Sequence, residues 1–291
     1  MKNFCKTISS CITKSLHCTI IKHDGVEHAG YLAFLGLLAL FPFLVLLTTL
    51  AGWIGQGELG AEFIKLLVNH LPPAAMEAIR PRIEELQAGP PKDLVTLAIF
   101  GTIWTASSAL EGIRTVLNRA YHVSTPPAYW FRRLLSIGQL LVFTFVIMLG
   151  MLVLVLVPLA FHKLENLIGI DLNFKENPDL SNILIALSFM VLLFVVAQLY
   201  YILPNIKQSL RSVLPGAIVT VFLWTIAAWL FSMYLSKFDQ VNLIYGSLGG
   251  IIATLLFFYI NNIIFIFGAE FNYQLTLATG HAIEEKIHAK N

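Results

Sequence analysis

The run SLGGIIATLLFFYINNIIFIFGA, Ser247 to Ala269, decides what kind of chain this is. Coiled as an α-helix rising about 1.5 Å per residue, it reaches about 35 Å, enough to cross a hydrocarbon core about 30 Å thick. It holds no charge until Glu270, directly after it. Five more such runs lie upstream: Tyr31 to Ile54, Leu94 to Leu110, Ser136 to Phe161, Ile183 to Leu203 and Val213 to Leu235. Soluble cores do not repeat that length so often, and 57% hydrophobic against 12% charged residues leaves too little polar surface to clothe a soluble globule. The expectation is an all-α polytopic membrane protein, a bundle of six transmembrane helices.

Charge orients the bundle. Twelve Lys and Arg fall in the termini and even-numbered loops against seven in the odd-numbered loops, while eleven acids sit in the odd loops. By the positive-inside tendency both termini are expected in the cytoplasm of a bacterial inner (cytoplasmic) membrane. A net charge of +2 shows no basic clustering of the kind that binds nucleic acid, so no nucleic-acid partner is expected.

The expected layout is an interfacial segment at residues 1–30, a membrane domain over 31–275 and a cytoplasmic tail over 276–291. The first thirty residues lack an uninterrupted apolar core, so no cleaved signal peptide is expected. Phe4, Ile8, Ile12, Leu16 and Ile20 recur at i, i+4 with Lys2, Lys6 and Lys14 opposite, which predicts an amphipathic helix lying in the inner leaflet. Cys5, Cys11 and Cys18 are read as small apolar residues of that helix, not as a disulfide framework. Residues 60–87 read as a periplasmic helical hairpin, broken by Pro72-Pro73 and closed by Gly89-Pro90-Pro91. The second span is expected to continue as a helix through Glu111, Arg114 and Asn118, and Pro215-Gly216 reads as the turn into the fifth span.

With spans two, four and six running the same way, Glu111, Arg114, Asn118, Asn205 and Glu270 arrive at one depth, the cytoplasmic face. Ionisable groups there are costly against hydrocarbon, so they should face the bundle interior or water: Glu270 either closes the inner face in an ion pair with Arg114 or Arg211 or ends in headgroup water. Asn261 and Asn262 lie mid-span. They line a polar path or make interhelical hydrogen bonds. Pro42 in span one removes a backbone hydrogen bond and marks a kink. These residues, with Tyr245 and Gly246 before the last span, are the candidate transport and gating positions. The one local His and acid cluster, His23 to His28, lacks zinc-site spacing, and there is no phosphate loop, nucleophile elbow or Cys-x-x-Cys. No metal, cofactor or catalytic residue is expected.

Six segments together resemble one family. They are Ala39 to Leu44 (ALFPFL), Leu117 to Tyr121 (LNRAY), Leu199 to Asn205 (LYYILPN), Val213 to Ala217 (VLPGA), Phe231 to Leu235 (FSMYL) with Asn242 to Gly249 (NLIYGSLG), and Gly268 to Asn272 (GAEFN). This is similar to the BrkB/YihY-type integral membrane proteins, once labelled ribonuclease BN-like. The resemblance implies a six-span protein of the bacterial inner membrane and envelope. Its members have been described as a tRNA-processing nuclease, as serum-resistance or virulence factors, and as exporters or lipid-related transporters. The chain departs from the usual pattern at Ala39, where a Ser is common, and at Phe257 to Asn262, where a Trp-rich run is common.

The leading expectation is a transporter or exporter of an amphipathic or lipid-linked substrate, with membrane lipids around it and room for homo-oligomers, opening around Pro42 and Pro215-Gly216. The alternatives are a membrane-bound ribonuclease and a non-transporting scaffold for envelope assembly acting through the outer hairpin.

Overall fold

The structure, a computed structural model, describes residues 2–22, 24–54, 95–123, 128–168, 178–235, 247–280 and 284–286. The expected hairpin over 60–87, together with Tyr245 and Gly246, lies outside the described residues. Seven α-helices are described: α1 (Lys2–His17), α2 (Gly25–Ile54), α3 (Val95–Ala120), α4 (Tyr129–Ile168), α5 (Pro178–Ile202), α6 (Leu210–Leu235) and α7 (Ser247–Ala278). A π-helical turn, Cys18–Lys22, extends α1. Two short strands, β1 (Ile206–Lys207) and β2 (Glu284–Glu285), pair antiparallel.

Each apolar run of the sequence falls on one of α2 to α7. Among the described residues, four stretches are long and apolar enough to cross a membrane: Tyr129–Gly150, Ile185–Ile202, Leu210–Leu235 and Gly249–Ala278, with a shorter apolar stretch at Gly25–Leu40. Their outer faces are bare. Phe222 is 64% exposed, Trp229 61% and Leu134 69%, far more contiguous apolar surface than water tolerates and what a lipid solvent requires. Two helices run longer than the hydropathy suggested. α4 begins at Tyr129, so Arg132 and Arg133 form its first turns, and α7 continues nine residues past Ala269. Pro215 and Gly216 are a correction: they lie inside α6 and form no turn.

The chain forms two compact units. The first comprises Met1–Ala39, Ser107–Ser136 and Val196–Asn291. Here α6 packs along α7, and α1 with its π-turn lies against α7. A small core of Ala29, Leu32, Val116 and Ile266 joins α2, α3 and α7, flanked by Ile113, Tyr259 and Ile263. The second unit comprises Leu40–Ala106 and Ile137–Val195. Within it α4 meets α5 at Gly150, where an added Cβ would stand 2.7 Å from Val191 Cγ1.

The N-terminal helix turns a different face to the protein from the one that periodicity emphasises. Cys11, Ser15, Cys18 and Thr19 are buried, while Ile12, Leu16 and Ile20 remain 44 to 51% exposed. Small side chains let α1 approach α7 closely. The aliphatic stripe stays outside the protein, as an interfacial helix requires.

The end of α3 is fixed by its own backbone. The Val123 N–H donates to Asn118 C=O at 2.8 Å and the His122 N–H to Arg119 C=O at 3.0 Å. This pair of bonds defines a Schellman cap, with His122 as its left-handed residue at φ 56°. The His122 ring stacks on Tyr273 of α7 at 4.4 Å, which compensates a residue that is not glycine there. The cap sets where Asn118 and Tyr121 emerge.

Candidate functional site

The first unit gathers most of the polar candidates at one end. On α3, Glu111 and Arg114 are three residues apart and therefore share a face, with Arg114 Nε 3.3 Å from Glu111 Oε2. The first turns of α4 add Arg132, whose Nη1 is 3.4 Å from Glu111 Oε1, and Ser136, whose hydroxyl donates to Glu111 Oε2 at 2.9 Å. Arg114 in turn donates to Ser136 Oγ at 3.2 Å. Arg133 donates to Ser108 at 3.1 Å. One carboxylate thus serves two guanidiniums and a hydroxyl, with a third guanidinium beside them. Arg114 and Arg133 are buried. Removing one member of such a buried set leaves an uncompensated charge and costs about 3 to 5 kcal/mol.

A latch adjoins this network. Asn118 Oδ1 accepts the Asn205 N–H at 2.8 Å, tying the end of α3 to the loop after α5. Asn205 then grips the tail: its C=O accepts the Lys286 N–H at 3.0 Å and its Nδ2 donates to Lys286 C=O at 3.3 Å. Lys207 meets Glu284 at 3.2 Å in the open. Burial, and then the charge of Arg114, hold the Lys286 ammonium below its ordinary pKa.

The third element joins α5, α6 and α7. Pro215 lacks an N–H, and the Gly216 N–H donates across to Asn272 Oδ1 on α7 at 2.6 Å. Asn272 Nδ2 donates to Val213 C=O at 3.0 Å and to the Tyr121 hydroxyl at 3.4 Å. One amide therefore brackets the first turns of α6. The helices touch backbone to backbone here, since a Cβ on Gly216 would collide with the Gly268 carbonyl and one on Gly268 with Thr220 Oγ1. Tyr200 of α5 completes the contact, its hydroxyl donating to Phe265 C=O at 2.6 Å and paired with Thr220 Oγ1 at 2.8 Å. Glu270 is wholly buried, with Tyr121 and Tyr273 close enough to feel its charge. Burial raises the Tyr121 hydroxyl well above the ordinary tyrosine value; the Asn272 contact lowers it and the Glu270 charge raises it further. It stays a neutral hydrogen-bonding group.

The candidates thus sort into groups. Asn118 and Asn205 are bonded to each other, and Glu111 and Arg114 form one network. Arg114 pairs with Glu111, and Arg211 is exposed at the start of α6. Asn261 and Asn262 are half-buried and turn back on their own helix, Nδ2 donating to Phe257 C=O at 2.7 Å and to Phe258 C=O at 2.9 Å. Trp224 of α6 donates to the Asn261 main-chain carbonyl, not its amide, at 2.8 Å. Pro42 is half-buried inside a continuous α2 and belongs to the second unit. The sequence reading did not single out Asn272, Tyr121, Tyr200, Thr220, Ser136 or Arg132 as site candidates. The first three stand in the segments GAEFN, LNRAY and LYYILPN, and that grouping was the signal that could have found them. Among the described residues no three His, Cys, Asp or Glu converge as metal ligands.

Several long apolar helices, lipid-type outer faces and a buried polar cluster define a multi-pass helical membrane protein. Residues 19–291 match the family model described as virulence factor BrkB. The ribonuclease-like protein YfkH of Bacillus subtilis is 32% identical over 264 residues, 89% of this chain and 93% of YfkH. A UPF0761 membrane protein of Alteromonas mediterranea is 25% identical over 276 residues, 91% of this chain and 86% of the relative. No solved structure matches. The chain belongs to the BrkB family of membrane proteins. The segments LNRAY, LYYILPN, VLPGA and GAEFN, which carry the resemblance, are the ones that meet in the latch and bracket through Asn118, Tyr121, Tyr200, Asn205, Gly216, Gly268 and Asn272.

Proposed function

We propose that this protein is a transporter of the bacterial inner membrane, moving an amphipathic or lipid-linked substrate, with six spans on α2 to α7 and both termini in the cytoplasm. It is not an enzyme in this reading and needs no cofactor. The observation that carries it is Glu270, a carboxyl wholly buried in an apolar helix. Such a group is expensive in a membrane helix, and its retention is explained if it takes up and releases a cation or proton as the substrate moves. The Glu111 network at the same end of the unit supports a charged inner closure. Pro42 and Pro215 each lie inside a continuous helix, α2 and α6, so in this reading the opening motion bends those helices at the prolines instead of swinging on a turn.

The test is leaflet exchange of a fluorescent phosphatidylglycerol in proteoliposomes under an imposed proton gradient. The wild-type chain should accelerate it, and Glu270→Gln, with its fold checked by thermal melting, should reduce gradient-driven exchange by at least about tenfold. Unchanged exchange in that variant removes Glu270 from the mechanism. The name of YfkH favours a second reading, ribonuclease activity. Cleavage of RNA by the purified protein, abolished by a chelator, would support that reading. Scaffolding through residues 60–87 would show as loss of function on deleting them while exchange persists.

A further inference from the structure

A cleft of about 660 Å³ opens in the first unit between β1, the start of α6 and the last turns of α7. That volume lies within the range of small-molecule sites, about 300 to 1,000 Å³. Its lining is divided in character. Lys207 and Arg211 bring positive charge, while Pro215 and Leu275 are apolar. Three of the lining hydroxyls donate to main chain, Ser212 to Ser209 C=O, Thr276 to Asn272 C=O and Thr279 to Leu275 C=O, while those of Ser209 and Tyr121 accept from the Ser212 N–H and Asn272 Nδ2. Lys207 shares its charge with Glu284. Arg211 pairs with no carboxylate among the described residues, so its guanidinium carries most of the attraction for an anion.

The surface that continues beyond the cleft selects among occupants. Arg211, Pro215, Ile218 and Phe222 recur at helical spacing and form one stripe along α6. Ile218 and Phe222 are exposed. A polar mouth with one strong donor therefore runs into an open apolar track about 10 Å long. A soluble anion would use only the mouth. An amphiphile with a phosphate at one end and hydrocarbon at the other would use both. The apolar stretch of α6 starts at Leu210, which puts Arg211 at headgroup depth.

We propose that this cleft holds the phosphate of an anionic phospholipid, with Arg211 as the main contact and an acyl chain laid along Pro215, Ile218 and Phe222. Guanidinium suits this task because its fork of donors matches phosphate oxygens. The assignment goes beyond the transport reading, since the lipid need not be moved.

The experiment is native mass spectrometry of the full chain, released from nanodiscs containing equal dioleoyl phosphatidylglycerol and dioleoyl phosphatidylcholine. The wild type should retain phosphatidylglycerol, with phosphatidylcholine at least about tenfold less. Arg211→Gln should lower that retention about tenfold, and Thr279→Trp, which fills the cleft from an exposed position, should do the same. Arg119→Gln, removing an exposed cation that pairs with Asp24 elsewhere in the unit, should leave retention as it was. Equal retention by wild type and Arg211→Gln, equal retention of the two lipids, or displacement of the lipid by inorganic phosphate alone would overturn the proposal. The last outcome would mark a soluble-anion site.

Discussion

Helix α7 carries asparagine at two levels, and the two behave differently. Asn272 leaves its own helix and bonds the Gly216 N–H and Val213 C=O of α6, whereas Asn261 and Asn262, about three turns back, donate to carbonyls of α7 itself. The difference lies in the facing helix. At the lower level Pro215 disturbs the backbone ladder and Gly216 lets another helix approach, so polar groups are within reach of Asn272. At the upper level Trp224 stands between the helices and donates to a carbonyl of α7. On α7, then, the asparagine that joins helices is the one whose neighbour offers backbone groups within reach.

Gly268→Leu should have the largest effect, because its side chain would collide with Thr220 and with the Tyr200 hydroxyl in a region without free space. Overpacking of this kind costs about 3 kcal/mol or more, and the expected result in detergent is a much lowered Tm or no folded protein. Replacing Gly250, where nothing lies within 4 Å, by Leu should leave the melting curve nearly unmoved.

Thr220→Val perturbs the same contact more gently. It removes one partner of Tyr200, but that hydroxyl still donates to Phe265 C=O, so the loss should be about 1 kcal/mol in an unfolding titration. A loss as large as that from Gly268→Leu would mean that the hydroxyl pair, not the close approach, holds α6 to α7.

The smallest expected effect concerns the tail. Lys286 has a lowered pKa when docked and its ordinary value of 10.5 when released. The released state therefore binds more protons between those two values, and docking strengthens as pH rises from the lowered value to 10.5. A spin label at position 284 should become less mobile over that window, and Lys286→Met should remove the dependence.

Much of the fold was legible because hydrocarbon imposes a length. Each apolar run marked a helix, and Asn118 and Asn205, read at one depth, are hydrogen-bonded, a pairing that depth alone does not specify. Three things were hidden for physical reasons. Pro215-Gly216 carries the composition of a turn, and only the presence of Asn272 on another helix shows how α6 tolerates it. The strands β1 and β2 are two residues each, too short for any alternation to register, and their pairing joins segments far apart in the chain. The packing face of α1 is Cys11, Ser15 and Cys18, small residues that a hydrophobic periodicity overlooks beside Ile12, Leu16 and Ile20. The charge network was half visible: Glu111 and Arg114 stood out, while Arg132 lay before the expected start of the third span and Ser136 was only its first residue.

The most direct test is the unfolding free energy of Asn272→Leu set beside that of Asn262→Leu. Asn272→Leu leaves a buried N–H and a carbonyl without their bridge and should cost about 2 to 4 kcal/mol, whereas Asn262→Leu removes a bond within one helix and should cost less than about 1 kcal/mol. Equal losses in the two variants would contradict the account.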